Sequence, residues 1–424
     1  MARNQNSCSG YQNPDNYILV GGTYYKKVRK PTTDGEIVET LIRWDREQLN
    51  ADFRSNQEAK KKIERFDGFC VVPEHINYRR RVSDFYNRYE DVKIIPSPGP
   101  WPSIENLLRH IFGEQYEEGL DYLQLLFTKP TQKLPILLLV SKERNTGKTT
   151  MLNFLKAIFK GNMTFVSNDD LRSRFNSDWA EKLIVAVDET LLDRKEDSEK
   201  IKALSTARVT KMESKGRDRE EIGISAKIIL CSNNVDEPVY MDKEEDRYWV
   251  REIPHIPFKD PLLLGKLSDE IPAFIAFLLD RHLKHDRPQE RMWFRMKDLE
   301  TQALRHIKHC CGPLGEIDLA ETIIEIMDAY TLDEICLTKG DIIRQLNING
   351  MRINNLHVIL SRRWAGSVYH ATDNLSYTLY QLSGGCPTSE DGTAAKGRYY
   401  KFTRPFLSDI IDEKGNSHED DLPL

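Results

Sequence analysis

Three short runs of mostly apolar residues in the middle of the chain predict buried β-strands. They read LPILLLV (134–140), LIVAV (183–187) and KIIL (227–230). Runs without polar alternation are typical of a parallel sheet that is covered by helices on both faces. After the first run, Leu152, Leu155 and Ile158 recur at helical spacing, which predicts a helix. The pattern therefore predicts an α/β fold with a parallel-sheet domain over residues 134–288.

Weaker patterns flank this domain. Strand-like pieces and a turn between 17 and 43 predict an N-terminal α+β domain over 1–100, with a charged helix at 46–65. Residues 101–133 read as a helical collar or linker, with amphipathic helices at 103–127 and Ser103 as their N-cap. Beyond an apolar helix at 262–283, residues 289–410 are predicted to form a C-terminal domain.

That C-terminal stretch contains two predicted helices, 339–346 and 354–364, followed by the strand-like pieces YTLYQL and RYYKF. A helix pair followed by a two-stranded wing resembles a winged helix. The tail, 411–424, is acidic and polar, and is predicted to be disordered.

Composition and charge restrict the partners and the cellular compartment that we expect for this chain. The 424 residues carry a net charge of −5, so any contact with nucleic acid requires a local basic patch. The seven cysteines are scattered and form no CxxC pair, which favours a reducing compartment. The polar start has no signal-peptide pattern, and no apolar run approaches the ~20 residues of a membrane span. We expect a cytoplasmic protein without a membrane partner, in a bacterial host if a phage or mobile element encodes it.

The turn after the first strand carries the clearest chemistry. It reads SKERNTGKTT (141–150) and lies between a predicted strand and a predicted helix, as in a P-loop. Backbone N–H groups and a helix N-terminus at such a turn bind phosphates. Lys148 would reach the β- and γ-phosphates of ATP, and the Thr149 hydroxyl would hold Mg²⁺. Lys142 stands where the G-x-x-x-x-G-K-[ST] pattern has its first glycine. The predicted nucleotide-binding residues are Asn145, Thr146, Gly147, Lys148, Thr149 and Thr150.

Polar residues end the next two strands. Asp188 and Glu189 follow LIVAV in the Walker B arrangement, where Asp188 would hold Mg²⁺ and Glu189 would polarise the attacking water. Asn233 follows the third strand and could contact both the γ-phosphate and the water, although Ser-Asn-Asn would also form an Asx turn. Further on, Arg247 is the candidate arginine finger for a neighbouring subunit, with Arg251 as its competitor.

Residues 208–227, between the second and third strands, predict a basic hairpin. Lys211, Lys215 and Arg217 concentrate positive charge there, so the tip could hold the phosphates of single-stranded DNA. Acidic neighbours partly cancel this charge, and a solvated hairpin remains the alternative.

The order of these motifs resembles that of superfamily 3 helicases, including the helicase half of phage and poxvirus-type primase-helicases. The resemblance runs from about 101 to 257 and implies an AAA+-like ATPase core. It assigns catalytic roles to Lys148, Glu189, Asn233 and Arg247, and makes Lys215 the DNA-binding lysine of the hairpin. It also implies a homo-oligomer, usually a hexamer, that moves 3′ to 5′ on single-stranded or forked DNA. A separate primase or polymerase would be a partner.

Three alternatives stay open at this point. The chain could be a DNA-stimulated ATPase that remodels or loads partners without unwinding. Lys142 keeps open a DNA-binding regulator with a degenerate nucleotide switch. His306, His309, Cys310 and Cys311 offer metal ligands, but adjacent cysteines seldom have the spacing of a zinc site.

Overall fold

The computed structural model describes most of the chain. The described residues are 13–31, 37–54, 56–173, 175–190, 192, 195–213, 220–241, 245–256, 260–311, 314–345, 353–383 and 386–415. Within these ranges, no helix is both long enough and apolar enough to cross a membrane.

Residues 13–92 form a small unit with two sheets. Its elements are β1 (Tyr17–Val20), β2 (Thr23–Pro31), β3 (Ile37–Trp44), α1 (Arg46–Asp52), α2 (Gln57–Lys61), β4 (Glu64–Phe66), β5 (Gly68–Cys70), β6 (Arg81–Val82) and β7 (Phe85–Asn87). The strand orders are β3-β2-β1-β4 and β5-β7-β6.

The prediction of a single helix over residues 46–65 is wrong. The Asn56 side chain accepts a hydrogen bond from the Ala59 N–H (2.9 Å) and starts a second helix, α2. The last residues of the predicted helix instead pair with β1 as strand β4.

Two helices, α3 (Pro102–Phe112) and α4 (Tyr116–Thr128), precede the main sheet. The N-cap of α3 is Trp101 rather than the predicted Ser103. The carboxylate of Glu270, 166 positions after Ile104, accepts the N–H groups of Ser103 (3.2 Å) and Ile104 (2.9 Å). A carboxylate there satisfies unpaired N–H groups and complements the helix dipole. The cap is therefore tertiary, and the local sequence does not encode it.

The central part contains the parallel sheet. Its elements are β8 (Ile136–Val140), α5 (Lys148–Phe159), β9 (Met163–Phe165), α6 (Asn168–Arg172), β10 (Ile184–Val187), α7 (Lys195–Thr206), β11 (Val209–Met212), β12 (Glu220–Gly223), β13 (Lys227–Ser232), β14 (Tyr248–Glu252) and α8 (Leu263–Asp280). Five parallel strands follow the order β14-β8-β13-β10-β9, which confirms the predicted α/β fold with a parallel sheet. The carboxyl ends of β8, β13 and β10 therefore lie side by side.

Both faces of this sheet are covered. Alternate residues such as Leu137 and Leu139 pack with α3, α4, α5 and α8 in one apolar cluster. Their neighbours Ile136 and Leu138 pack in another cluster with Ile201 of α7 and with Leu304 and Ile307 of a later helix, α9 (Gln302–Cys311). Every residue of β8, β10 and β13 is buried, which explains why these strands read as unbroken apolar runs.

The remaining elements are α9 (Gln302–Cys311), α10 (Leu314–Ala329), β15 (Glu334–Leu337), α11 (Lys339–Gln345), α12 (Ile353–Val358), a π-helical turn (Ile359–Arg363), β16 (Tyr369–His370), β17 (Leu375–Leu379), β18 (Leu382–Ser383), β19 (Cys386–Pro387), β20 (Thr393–Gly397), β21 (Tyr400–Thr403) and α13 (Arg404–Gly415). Helix α9 packs against β14, where the Thr301 hydroxyl donates to the Val250 carbonyl (2.8 Å). The elements from α10 onwards surround a separate apolar cluster.

Two expectations about this end of the chain need correction. The predicted wing strands YTLYQL and RYYKF do not pair with each other: β17 pairs with β20, whereas β21 pairs with β15 and β16. In addition, the first residues of the predicted disordered tail are helical, because α13 continues to Gly415 and Ile411 packs on the apolar cluster. Residues 416–424 lie outside the described ranges.

Candidate functional site at the carboxyl edge of the sheet

The loop between β8 and α5 has a fixed shape. Gly147 has a φ of +89°, and a Cβ at this position would lie 3.0 Å from Cδ1 of Ile256. The Ile256 N–H donates to the Asn145 carbonyl (3.3 Å), and Nε2 of His110 on α3 lies 3.0 Å from the Thr146 carbonyl oxygen. Only glycine combines this φ with such close packing without strain. The loop is therefore held between α3 and the segment after β14.

Lys148 is the first residue of α5, and its side chain points back into this loop. The residue is only 8% exposed. Its ammonium group donates to the hydroxyl of Ser141, to Oγ1 of Thr146 (3.3 Å) and to Oδ1 of Asn233 (2.9 Å). Burial lowers the pKa of Lys148. Because all three acceptors are neutral, a bound anion would stabilise this cation far more than its present partners do.

Lys142 occupies the position where a glycine was expected. Its φ is not positive, so the backbone does not require glycine there. Its side chain points towards the end of β14, and the ammonium lies 3.6 Å from the Glu252 carboxylate. The departure from the sequence pattern therefore changes an exposed contact and leaves the shape of the loop intact.

The acidic pair follows β10 at the same edge of the sheet. The Thr149 hydroxyl donates to Oδ2 of Asp188 (3.0 Å), and both residues are exposed. Glu189 has a φ of +66°, held in place because the Thr190 N–H donates to the Cys231 carbonyl (2.6 Å). A left-handed non-glycine residue costs on the order of 1–3 kcal/mol and is found mostly where function requires it.

The two adjacent asparagines after β13 have different roles. Asn234 forms the turn: its side-chain oxygen accepts the N–H groups of Asp236 (3.0 Å) and Glu237 (3.2 Å). Asn233 is exposed and contacts Lys148. The sequence left an Asx turn and a phosphate sensor as alternatives for Ser-Asn-Asn; Asn234 makes the turn, and the sensor role of Asn233 stays a prediction.

Arg247 lies away from this group of residues. It precedes β14, and its carbonyl accepts the Ile136 N–H (2.8 Å) at the start of β8, whereas Lys148 follows the end of β8. The five residues of β8 separate the two positions by about 16 Å. Arg251, the other candidate for the arginine finger, is buried and donates to Glu114 (2.6 Å) and Gln115 (3.0 Å). Its side chain therefore makes contacts within its own chain.

The predicted hairpin exists as the antiparallel pair β11 and β12. Lys211 lies on β11 and is exposed, whereas Lys215 and Arg217 fall in residues 214–219, outside the described ranges. A neighbouring loop supports the hairpin: the Asn176 side chain donates to the Lys211 carbonyl (3.0 Å). Phe175, in the same loop, is 51% exposed beside the hairpin.

Several residues around Lys148 were not predicted. Ser141 directly follows a buried strand at the loop, and this position could have identified it. His110 and Ile256 come from α3 and from the segment after β14, and no local pattern marks them. Only the strand order and the helix packing bring them to the loop.

The turn after Asn233 also contacts the C-terminal part of the chain. Glu237 lies 3.3 Å from the guanidinium of Arg363, which lies equally close to Glu316. Burial raises the pKa of Glu237 to about 7. His306, considered above as a metal ligand, lies instead 2.8 Å from the Asp236 carboxylate. No group of three or more potential metal-binding side chains occurs among the residues that the structure describes.

Comparison with known proteins identifies one sequence family and a recurring fold. Residues 139–248 match a family of unknown function, DUF5906. No curated protein matches the chain. The apo structure of the NrS-1 C-terminal region is 14% identical over 91% of this chain and 96% of its own, with a TM-score of 0.54.

Two A-form apo structures of the same NrS-1 region are also similar. One is 16% identical and covers 84% of each chain, with a TM-score of 0.51. The other is 15% identical over 90% of this chain and 96% of its own, with a TM-score of 0.53. At such identities the likeness establishes a common fold.

Proposed function

We propose that this chain is an ATP-driven DNA helicase of the superfamily 3 type, from a phage or mobile element. Its subunits would form a ring, in the simplest case a hexamer, and move on single-stranded DNA during replication. The observation that carries the proposal is the meeting of Lys148 with Asn233, and of Thr149 with Asp188, at one edge of the parallel sheet. This edge is where α/β folds bind their ligands.

The residues at this edge fit a nucleoside triphosphate and Mg²⁺. Among the residues that the structure describes, no side chain caps the N-terminus of α5 and no carboxylate hydrogen-bonds to the buried Lys148. Thr149 and Asp188 supply the oxygen ligands that Mg²⁺ prefers. Bound Mg²⁺ would neutralise charge on the phosphates.

Each remaining side chain has a defined task in this proposal. Glu189, which follows Asp188 and has a left-handed backbone, orients the attacking water and accepts its proton. Asn233 contacts Lys148 directly, so it can sense whether a phosphate occupies the site. Arg247, on the opposite edge of the sheet, acts on the nucleotide of a neighbouring subunit as an arginine finger.

The DNA contacts follow from the hairpin. Lys211 would bind strand phosphates together with Lys215 and Arg217, which follow β11 in the sequence, and the exposed ring of Phe175 would stack on a base. The helix–strand–helix–helix order from α10 to α12, the sheet order β15-β21-β16 and the β17–β20 hairpin favour a winged helix as a second DNA contact.

The related fold supports a role in replication. The NrS-1 C-terminal region belongs to a phage primase-helicase. By analogy, we propose that this chain works with a separate primase or polymerase in the cytoplasm of a bacterial host.

Purified protein tests the proposal directly. ATP hydrolysis should increase with single-stranded DNA, and a forked duplex should be separated when ATP is present. Lys148→Ala and Asp188→Asn should abolish both activities, whereas Lys142→Ala, an exposed loop lysine in a long ion pair, serves as the matched control and should retain them. Hydrolysis without strand separation would replace the helicase by a DNA-stimulated ATPase. DNA binding and biological activity that survive Lys148→Ala would favour a regulator.

A further inference from the structure

A second group of basic residues lies at the opposite edge of the sheet, where the strands begin. We call it the amino-edge cluster; it consists of the exposed or half-buried Lys129, Lys133, Arg208 and Arg291, with the buried Lys227 beneath them. The side chain of Lys133 donates to the Ile224 carbonyl (3.0 Å), and the Ile224 N–H donates to the Arg208 carbonyl (3.0 Å). Lys133 and Arg208 therefore flank the residue that follows the hairpin strand β12.

Lys227 and Lys129 extend this cluster on either side. Lys227 begins β13, is 2% exposed and donates to the carbonyls of Pro130 and Ser225. Lys129 ends α4, and its ammonium lies 4.4 Å from the ring centroid of Trp293, two residues after Arg291. The cluster thus spans from the turn before β8 to the base of the hairpin.

In the described ranges, none of the five members of the cluster forms an ion pair with a carboxylate. Burial lowers the pKa of Lys133 and of Lys227. Nearby cations lower them further, Arg208 and Arg291 acting on Lys133 and Lys133 acting on Lys227. A bound anion would relieve this repulsion.

We propose that the amino-edge cluster binds the phosphates of single-stranded nucleic acid at the base of the hairpin. The hairpin strands β11 and β12 are four residues long, or about 13 Å, and their base adjoins Lys133 and Arg208. A single strand that runs along the hairpin therefore passes the cluster. This inference rests on the proposed function in one respect: both require that the hairpin binds single-stranded DNA.

The test measures binding of a fluorescent oligo(dT) to the full chain without nucleotide, between about 50 and 200 mM salt. The double variant K133Q/R291Q should bind at least about tenfold more weakly, with a salt slope reduced by about 1.4, or 0.7 for each lost phosphate contact. The matched control is R46Q/K62Q, which removes two exposed charges from α1 and the end of α2 and should bind like the parent. R291Q alone changes an exposed side chain, so its expected slope decrease of about 0.7 cannot come from misfolding.

The outcomes separate this inference from the proposed function. If the parent hydrolyses ATP and separates strands but K133Q/R291Q binds oligo(dT) with the parent slope, the cluster inference alone is wrong. If binding depends on the cluster but the parent hydrolyses no ATP, the cluster inference holds and the motor is wrong. A parent that binds no oligo(dT) overturns both.

Two further results would redirect the inference to a protein partner. Loss of self-association with unchanged oligo(dT) binding would make the cluster a contact between subunits. Equal competition by polyglutamate and unlabelled oligo(dT) would indicate an acidic protein segment.

Discussion

Arg247 and Arg251 are four residues apart, and replacing each by alanine should separate a contact for a neighbouring subunit from a contact within the fold. Both were candidates for the arginine finger on sequence grounds. The structure gives them different surroundings: the Arg247 side chain is 33% exposed, whereas that of Arg251 is 8% exposed.

The expected cost of Arg251→Ala follows from its contacts. Truncation removes two buried methylene groups, Cγ and Cδ, at ~0.8 kcal/mol each. It also removes a hydrogen bond to the buried Gln115 (3.0 Å), worth ~1 kcal/mol. The pair with Glu114 adds little, because that side chain is 74% exposed and screened by water. The sum is about 3 kcal/mol. For a cooperative unit of roughly 150–250 residues, this loss lowers the melting temperature by roughly 6–12 °C.

Arg247→Ala should have the opposite profile. Its partner Glu245 keeps the buried Lys202 at 2.8 Å, so the loss of stability should stay below about 1 kcal/mol. ATP hydrolysis should fall by about 10³-fold or more, with nucleotide binding retained. Calorimetry, steady-state hydrolysis and binding of a fluorescent nucleotide measure the three quantities. Arg109→Ala, which breaks an exposed ion pair with Glu105, is the control.

Co-expression tests whether Arg247 acts between subunits. Lys148→Ala and Arg247→Ala should each be inactive alone, but mixed rings contain some sites that combine an intact Lys148 with an intact Arg247. Hydrolysis should therefore partly return. The reasoning is refuted if Arg247→Ala lowers the melting temperature as much as Arg251→Ala does, or if it leaves hydrolysis unchanged.

Three further predictions follow from single contacts. Glu270→Ala should lower the free energy of unfolding by about 1 kcal/mol because it uncaps α3, whereas Ser103→Ala should leave it unchanged; equal effects in chemical denaturation would contradict the tertiary cap. Burial raises the pKa of Glu237 from 4.5 to about 7, so folding favours the protonated carboxyl. The stability that this preference contributes is complete below about pH 4.5 and is lost as the pH rises through 7. Glu237→Gln should therefore flatten the dependence of the melting temperature on pH between 5 and 8, and an unchanged profile would show that Arg363 keeps the carboxylate charged. Lys142→Gly, which restores the glycine of the sequence pattern, should change nucleotide affinity less than threefold, and a larger change in a binding titration would show that the lysine contacts the ligand.

The local sequence was sufficient for the parts of the fold that depend on neighbouring residues. Unbroken apolar runs identified β8, β10 and β13, because strands covered on both faces bury every side chain. The Gly147 turn was also readable, because a left-handed residue between a strand and a helix favours glycine. Position relative to the strands also identified the candidate site residues. Each follows the carboxyl end of a strand: Lys148, Thr149, Asp188 and Asn233.

Strand order decided what these positions do together. Because β13 lies beside β8, Asn233 meets Lys148. Because β14 runs parallel to β8, Arg247, which precedes β14, lies at the amino edge of the sheet. The sequence could not choose between Arg247 and Arg251, since the choice depends on Glu114 and Gln115 more than 130 residues earlier.

The same reason applies to the Glu270 cap of α3 and to the amino-edge cluster. Short-range patterns record which residues are buried and where the chain turns. Contacts between distant segments depend on how the sheet is ordered and how its helices pack. The sequence by itself therefore identified the core strands and the candidate residues that follow them, and only the tertiary structure decided which side chains meet.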